Sequence, residues 1–326
     1  MQQGQFESVR MQEVDHVLMS KETRQKLSDL ISVVSREQVI LLDNITSEIL
    51  SEIDLFAKIS VFGLPVKRVE EIFLRQASNL SKDRQLTLKR AMVAKLACHL
   101  PVQVEKMNLP NSILKLYPDA VGRLADFLTN ADDEPYDPTA DFFRKDVRFV
   151  LGLTIPCGTF IVDLLSRFRL RTVLHSLLYF GDITAPIRYL VIKGYGPWLQ
   201  MHIDQRYIAE LNAEAHERMC LRIVELLKRR KDIVGVTATS WLYDPQLVDI
   251  SPHHAYIRLQ PLEGGAFFLQ HRIGNNEILQ ATTTSKSRLR LYEEGKYIPR
   301  EYSMLWPRKA MIAWAKQTQQ GYISKI

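Results

Sequence analysis

The sequence predicts an α+β protein, with a helical N-terminal region followed by a mixed β-sheet flanked by helices in an α/β-like C-terminal domain. Three observations predict it. Apolar residues recur at three- and four-residue spacing through residues 21–130, the period of a helix with one buried face. Past residue 141 the pattern changes to short β-branched and aromatic runs broken by Gly and Pro. Two of those runs flank a long amphipathic stretch, and a strand-helix-strand unit of this kind sets its strands in one sheet with a right-handed crossover. At 326 residues the chain is long enough for about two domains.

Residues 1–20 read as a flexible polar lead-in. Residues 21–130 then form the helical domain. Leu27, Leu30, Ile31 and Val34 make one stripe, and Ile45, Ile49, Ile53 and Phe56 another. Pro65 opens a further helix carrying Val69, Ile72 and Phe73. Residues 131–141 (ADDEPYDPTAD) are acidic, hold two prolines and lack periodicity, so they are the expected linker, and residues 142–326 the second domain. Residues 147–155 and 159–165 flank Pro156-Cys157-Gly158, which predicts a hairpin. Arg167, Arg169 and Arg171 would line one face of an extended strand.

From Trp198 onward the chain alternates. Leu199, Met201 and Ile203 belong to a core face, whereas Trp198, Gln200, His202 and Asp204 form an opposite row able to border a cleft. His202 and Asp204 would stand about 7 Å apart along that strand. Histidine titrates near neutrality, so His202 is the first candidate for acid-base work, beside the plainer reading of a hydrogen-bonded structural histidine. Residues 205–231 predict one long amphipathic helix, and residues 233–243 the next strand, ended by Asp244-Pro245. Ligands of open α/β sheets bind beyond the C-terminal strand ends, which draws Ser240, Trp241, Tyr243 and Asp244 into the candidate substrate site. Ser251-Pro252 starts a short helix with His253 and His254 in its first turn. Gly264-Gly265 leads into a strand at 266–272, Asn275-Asn276 predicts a turn, and Thr284 or Ser285 caps a helix ending at Gly295. A strand at 302–306 and a closing helix from Pro307 complete the order.

Composition narrows the function classes. With 46% hydrophobic and 25% charged residues the chain reads as an ordinary globular protein. Its net charge of +6 suits an anionic partner but is a modest excess over this length. Cys98, Cys157 and Cys220 are widely spaced with no CxxC pair, which speaks against a disulfide framework or a cysteine zinc site. No metal is expected: a di-iron bundle would need a pair of Glu-x-x-His motifs, whereas Glu13 to His16 is a single one and His99 has no Glu three residues before it, and no His-Glu-x-x-His occurs. The opening residues lack the apolar run of a secretory signal, and residues 149–165 are too interrupted to span a membrane, so a cytoplasmic location is expected.

Residues 147–306, with their order of hairpin, central strand, helix, strand and closing strands, resemble the GNAT superfamily of acyl-CoA-dependent acyltransferases. The run Leu291-Tyr292-Glu293-Glu294-Gly295 is similar to a helix-end phrase of that family. The phrases GPWLQMH and TSWLYDP also look similar to those of bacterial proteins. The family's pyrophosphate motif is Gln or Arg, two residues, Gly, one residue, then Gly or Ala. It falls on Arg206 to Leu211, with Arg206 and Ala209 as the implied cofactor-binding positions and Ala209 and Leu211 standing where the family has its small residues. The resemblance implies acyl-CoA as co-substrate and transfer to a small amine or related nucleophile. His202 or Asp204 would be the base and Tyr243 or Tyr292 the acid, with Trp198, Gln200, Ser240, Trp241 and Asp244 around the substrate. The alternative is a non-catalytic protein that binds a ligand or nucleic acid, with the helical region docking a protein partner.

Overall fold

The structure is a computed structural model and describes residues 18–130, 135–181, 183–271 and 273–323. Nearly all of the expected lead-in, and residues 131–134 of the expected linker, lie outside the described residues. The chain divides into two compact units: Met1–Cys157 with Asp163–Leu165, and Gly158–Val162 with Ser166–Ile326.

The first unit is helical, as the stripes require. Its main helices are α1 (Lys21–Ser32), α2 (Arg36–Ser51), α3 (Ile53–Phe56), α4 (Gly63–Ala77) and α5 (Lys82–Lys106), then α6 (Asn111–Leu114), α7 (Tyr117–Asn130) and α8 (Asp141–Val150). Ser20 caps α1 by accepting a hydrogen bond from Thr23 N at 3.0 Å, and Ser35 forms a capping box with Gln38 at the start of α2. Leu27, Ile45, Ile49, Phe56, Val69 and Phe73 are all buried in its core. Acidic residues on these helices meet cations: Glu52 with Arg68, Glu48 with Arg75, Glu70 with Lys89 and Asp43 with Lys95.

Helix α8 corrects the expected hairpin. Val147 to Val150, read as the start of a strand, are helical, and only β1 (Thr154–Pro156) and β2 (Phe160–Arg167) are extended around the Pro-Cys-Gly turn. The reason is polar satisfaction. Helical spacing lets Lys145 pair with Asp141 one turn earlier, lets Tyr136 donate to Asp146 at 3.1 Å and sends Arg148 to Asp163 at 2.6 Å and the Phe62 carbonyl at 2.9 Å. The arginine row is corrected too: β2 stops at Arg167, and Arg169 is the N-cap of the next helix, which contains Arg171.

In the second unit follow α9 (Leu170–Phe180), α10 (Thr184–Val191), β3 (Pro197–Ile203), α11 (Ala213–Arg229) and β4 (Gly235–Ser240). The rest comprises α12 (Leu247–Ile250), α13 (Tyr256–Glu263), β5 (Phe267–His271), α14 (Asn275–Thr283), α15 (Lys286–Glu293), β6 (Glu301–Pro307) and α16 (Arg308–Ile323). The six strands order as β1-β2-β3-β4-β6-β5. β3 and β4 are parallel, as their helical crossover demands, and β6 runs antiparallel between β4 and β5. The mixed sheet flanked by helices is therefore the predicted class.

Two boundaries differ here. The expected helix from 205 breaks into a 3-10 turn (Gln205–Glu210) and α11, because Asp204 caps the turn through Arg206 N while Asn212 caps α11 through Ala215 N at 2.9 Å. Asn275-Asn276, expected as a turn, opens α14.

Candidate active site

Cross-strand partners share a face of a sheet, so the register identifies one face exactly. Trp198 and Gln200 on β3 lie with Gly235 and Thr237 on β4. Thr239 pairs with Ser303, Leu269 with Ser303, and His271 with Glu301. Strand alternation adds His202 to this set.

That face is divided along its length. Its first half is roofed by α9 and α10, whose Val173, Ala185 and Tyr189 pack with Trp198, Phe267, Leu269 and Leu305 in one core cluster. Trp198 is fully buried there, and its Nε1 donates to the Gly194 carbonyl at 2.7 Å. Trp198 thus stands in packing and not in the open row expected from alternation. The second half is polar. Gln200 accepts from Ser166 Oγ at 2.8 Å. Ser303 Oγ shares one hydrogen bond with Thr239 Oγ1 and another, of 2.7 Å, with His271 Nε2. Gln200, His202, His271 and Glu301 are half-buried and Thr239 is exposed, so the half is reachable from solvent.

The same end holds the C-terminal ends of the parallel strands β3 and β4. Paired residues of β3 and β4 run from Trp198↔Gly235 to Gln200↔Thr237, whereas the strands continue to Ile203 and Ser240. The C-terminal ends of parallel strands are where open α/β sheets bind ligands.

The electrostatics of the polar half are set by burial. Burial, with Glu277 as a second cause, pushes the Glu301 carboxyl up to about 7. Burial and, after it, the neighbouring His175 bring His271 down to about 4, so it is neutral at pH 7 and holds Ser303 as a neutral imidazole. A carboxyl near neutrality beside a hydroxyl held by two partners is equipped to accept a proton.

The other predicted residues sit elsewhere. Asp204 falls one residue past the strand, is buried, and forms a bidentate pair with Arg206 at 3.0 and 2.9 Å. Arg206 therefore spends its guanidinium on Asp204, and Ala209 lies in the 3-10 turn, with the helix starting at Ala213 instead of at residue 205. Ser240, paired with Tyr302 on the opposite face, caps the turn Trp241–Tyr243 through Leu242 N at 3.1 Å. Trp241 lies under the Arg288 guanidinium at 5.0 Å. Tyr243 is buried with its ring 5.5 Å from Phe268, and burial raises its hydroxyl well above the usual range. Asp244 accepts from Gln246 N at 3.1 Å and Arg300 N at 2.9 Å, which ties the exit of β4 to the entry of β6. Tyr292 is on the exposed side of α15.

The structure thus joins Gln200 and His202 to four residues the sequence reading passed over: Thr239, His271, Glu301 and Ser303. A signal existed for two of them, since Glu301 and Ser303 are the polar alternates in a strand whose other members are Tyr302, Met304, Leu305, Trp306 and Pro307.

No protein-family model matches the chain. No curated protein matches it in sequence. In fold it is similar to a solved acyltransferase in complex with decanoyl-CoA and teicoplanin, with a TM-score of 0.54 and 10% identity over 90% of this chain and 86% of that one. An acyltransferase in complex with CoA and 10C-teicoplanin gives a TM-score of 0.55 at 10% identity, over 91% and 94% of the two chains. At this identity the likeness is one of fold.

Proposed function

We infer that this protein transfers an acyl group from an acyl-CoA to an amine, in the manner of the GNAT superfamily. The observation that carries the reading is the gathering of His202, Thr239, Ser303, His271 and Glu301 at the C-terminal ends of the parallel strands β3 and β4. A thioester bound at these strand ends, the place where open α/β sheets take their ligands, would meet those polar side chains. The fold shared with acyltransferases solved with decanoyl-CoA or CoA supports the same donor.

In this reading Glu301 takes the proton of the acceptor amine. The amine nitrogen forms its bond to the thioester carbon, and the carbonyl oxygen, negative in the tetrahedral state, is met by a hydrogen-bond donor at that strand end. As the carbon–sulfur bond breaks, His202 gives a proton to the departing thiolate, leaving an amide and free CoA. Asp204 and Arg206 hold the end of β3, and Ser303 with His271 holds the floor beneath the acceptor.

Calorimetry with decanoyl-CoA, followed by thiol release in the presence of a panel of amines, tests the proposal. Binding in the micromolar range and amine-dependent release are expected. Absence of acyl-CoA binding at millimolar donor would sink it. Within an active enzyme, His202→Ala should lower kcat by about 10²- to 10⁴-fold with little change in Tm.

A further inference from the structure

The helical hairpin α9–α10 turns an apolar face outward. Its inner face is spent on the sheet through Val173, Ala185 and Tyr189. On the outer face Leu170, Leu174 and Leu178 step every four residues along α9, and Ile183, Ile187 and Val191 do the same along α10, so each set forms one stripe. Leu178 and Val191 are each 77% exposed. Such a run of aliphatic side chains is more than the scattered surface residues of a soluble protein.

Charge says what covers it. Residues 167–195 hold five cations (Arg167, Arg169, Arg171, Arg188 and Lys193) against one acid, Asp182, a net of +4 out of the +6 of the whole chain. The described cations of this segment are all exposed. A second copy docked on the same face would bring like charges together, whereas an anionic surface would neutralise them. Tyr179 and Tyr195, at 58% and 63% exposure, are the amphipathic rings that settle at headgroup depth. We propose that α9 and α10 are a membrane-docking surface, lying in the plane of an anionic lipid bilayer with their aliphatic stripes among the acyl chains and the arginines among the headgroups. Among the described residues no helix is long and apolar enough to cross a membrane, which fits attachment in the interface plane. The proposal stands apart from acyl transfer. It adds that the polar half of the sheet face, which adjoins the roof these helices form, would lie close to lipid.

Flotation of the full chain with vesicles tests it. Binding is expected to vesicles of phosphatidylcholine and phosphatidylglycerol at three to one, with little to phosphatidylcholine alone, and with loss on raising salt from about 0.1 to about 0.5 M. The pair Leu174→Glu and Leu178→Glu should cut the bound fraction at least about tenfold, and each of Arg169→Glu and Arg171→Glu by about fivefold or more. All four sites are exposed, so unchanged Tm separates lost docking from misfolding. Three results would overturn the proposal: no binding to either vesicle, equal binding to both that salt leaves intact, or a wild-type dimer in light scattering that the leucine variants make monomeric.

Discussion

Two acidic side chains of the site region differ in what they are built to do. Glu301 is half-buried beside Glu277 and keeps its proton up to about pH 7, so in the proposed reaction it would become able to accept a proton near neutrality. Turnover should therefore rise as pH passes through about 7, and Glu301→Gln should remove that limb while lowering kcat; a rate profile across pH 5 to 9 in both proteins checks this, and an unchanged limb in the variant would assign the base elsewhere. Asp204, by contrast, is locked in a bidentate pair and also accepts from Arg206 N. Removing it strands a largely buried guanidinium, so Asp204→Ala should cost about 3 to 5 kcal/mol of stability, read by urea unfolding. A fully stable Asp204→Ala protein would show that the pair is dispensable.

At the scale of elements, tight contacts decide boundaries that periodicity leaves open. Gly264 ends α13 where a Cβ would stand 2.2 Å from the Trp306 indole, whose Nε1 donates to the Gly264 carbonyl at 2.7 Å. Gly264→Ala should destabilise by about 1 to 3 kcal/mol, measured as a fall in unfolding midpoint, because the indole cannot move without losing that bond. The sequence was legible where one constraint ruled: the stripe of α11, the parallel pair it connects, and the strand after Gly264-Gly265. It misled where two competed. Val147 to Val150 are β-formers, yet the partners of Lys145, Asp146 and Arg148 require a helix. Of the row Trp198, Gln200, His202 and Asp204, the first three share one face of β3 while Asp204 falls past its end, and alternation is blind to a roof that covers Trp198 and leaves Gln200 half-open. His271, Ser303 and Thr239 come together through antiparallel register, information that resides in no single stretch of sequence.

For the molecule as a whole, buried titratable groups shape stability against pH. His216 is buried, with Nδ1 2.7 Å from Gln260 Oε1, and burial brings it down from 6.5 to about 4. Unfolded His216 gains a proton that the folded chain refuses, so its stabilising effect is complete above about pH 6.5 and is lost as pH falls toward 4. Glu301 works in the opposite sense, costing stability as pH rises from about 4.5 to about 7. The histidine shift alone amounts to at most about 3 kcal/mol. His216→Gln should flatten the acid side of the curve, seen by comparing denaturant midpoints at pH 5 and pH 7; a variant as acid-sensitive as the wild type would place the loss in other groups. One property of the sheet reaches past the finished fold. β6 is synthesised after both β4 and β5, yet it lies between them and supplies Glu301 and Ser303. A ribosome delivering about 5 to 20 residues per second leaves β4 and β5 waiting several seconds for the strand that joins them. Until it arrives, β4 and β5 lack the strand that joins them and the polar cluster lacks Glu301 and Ser303, so any product truncated before residue 301 would carry two unjoined strand edges and be a substrate for chaperones.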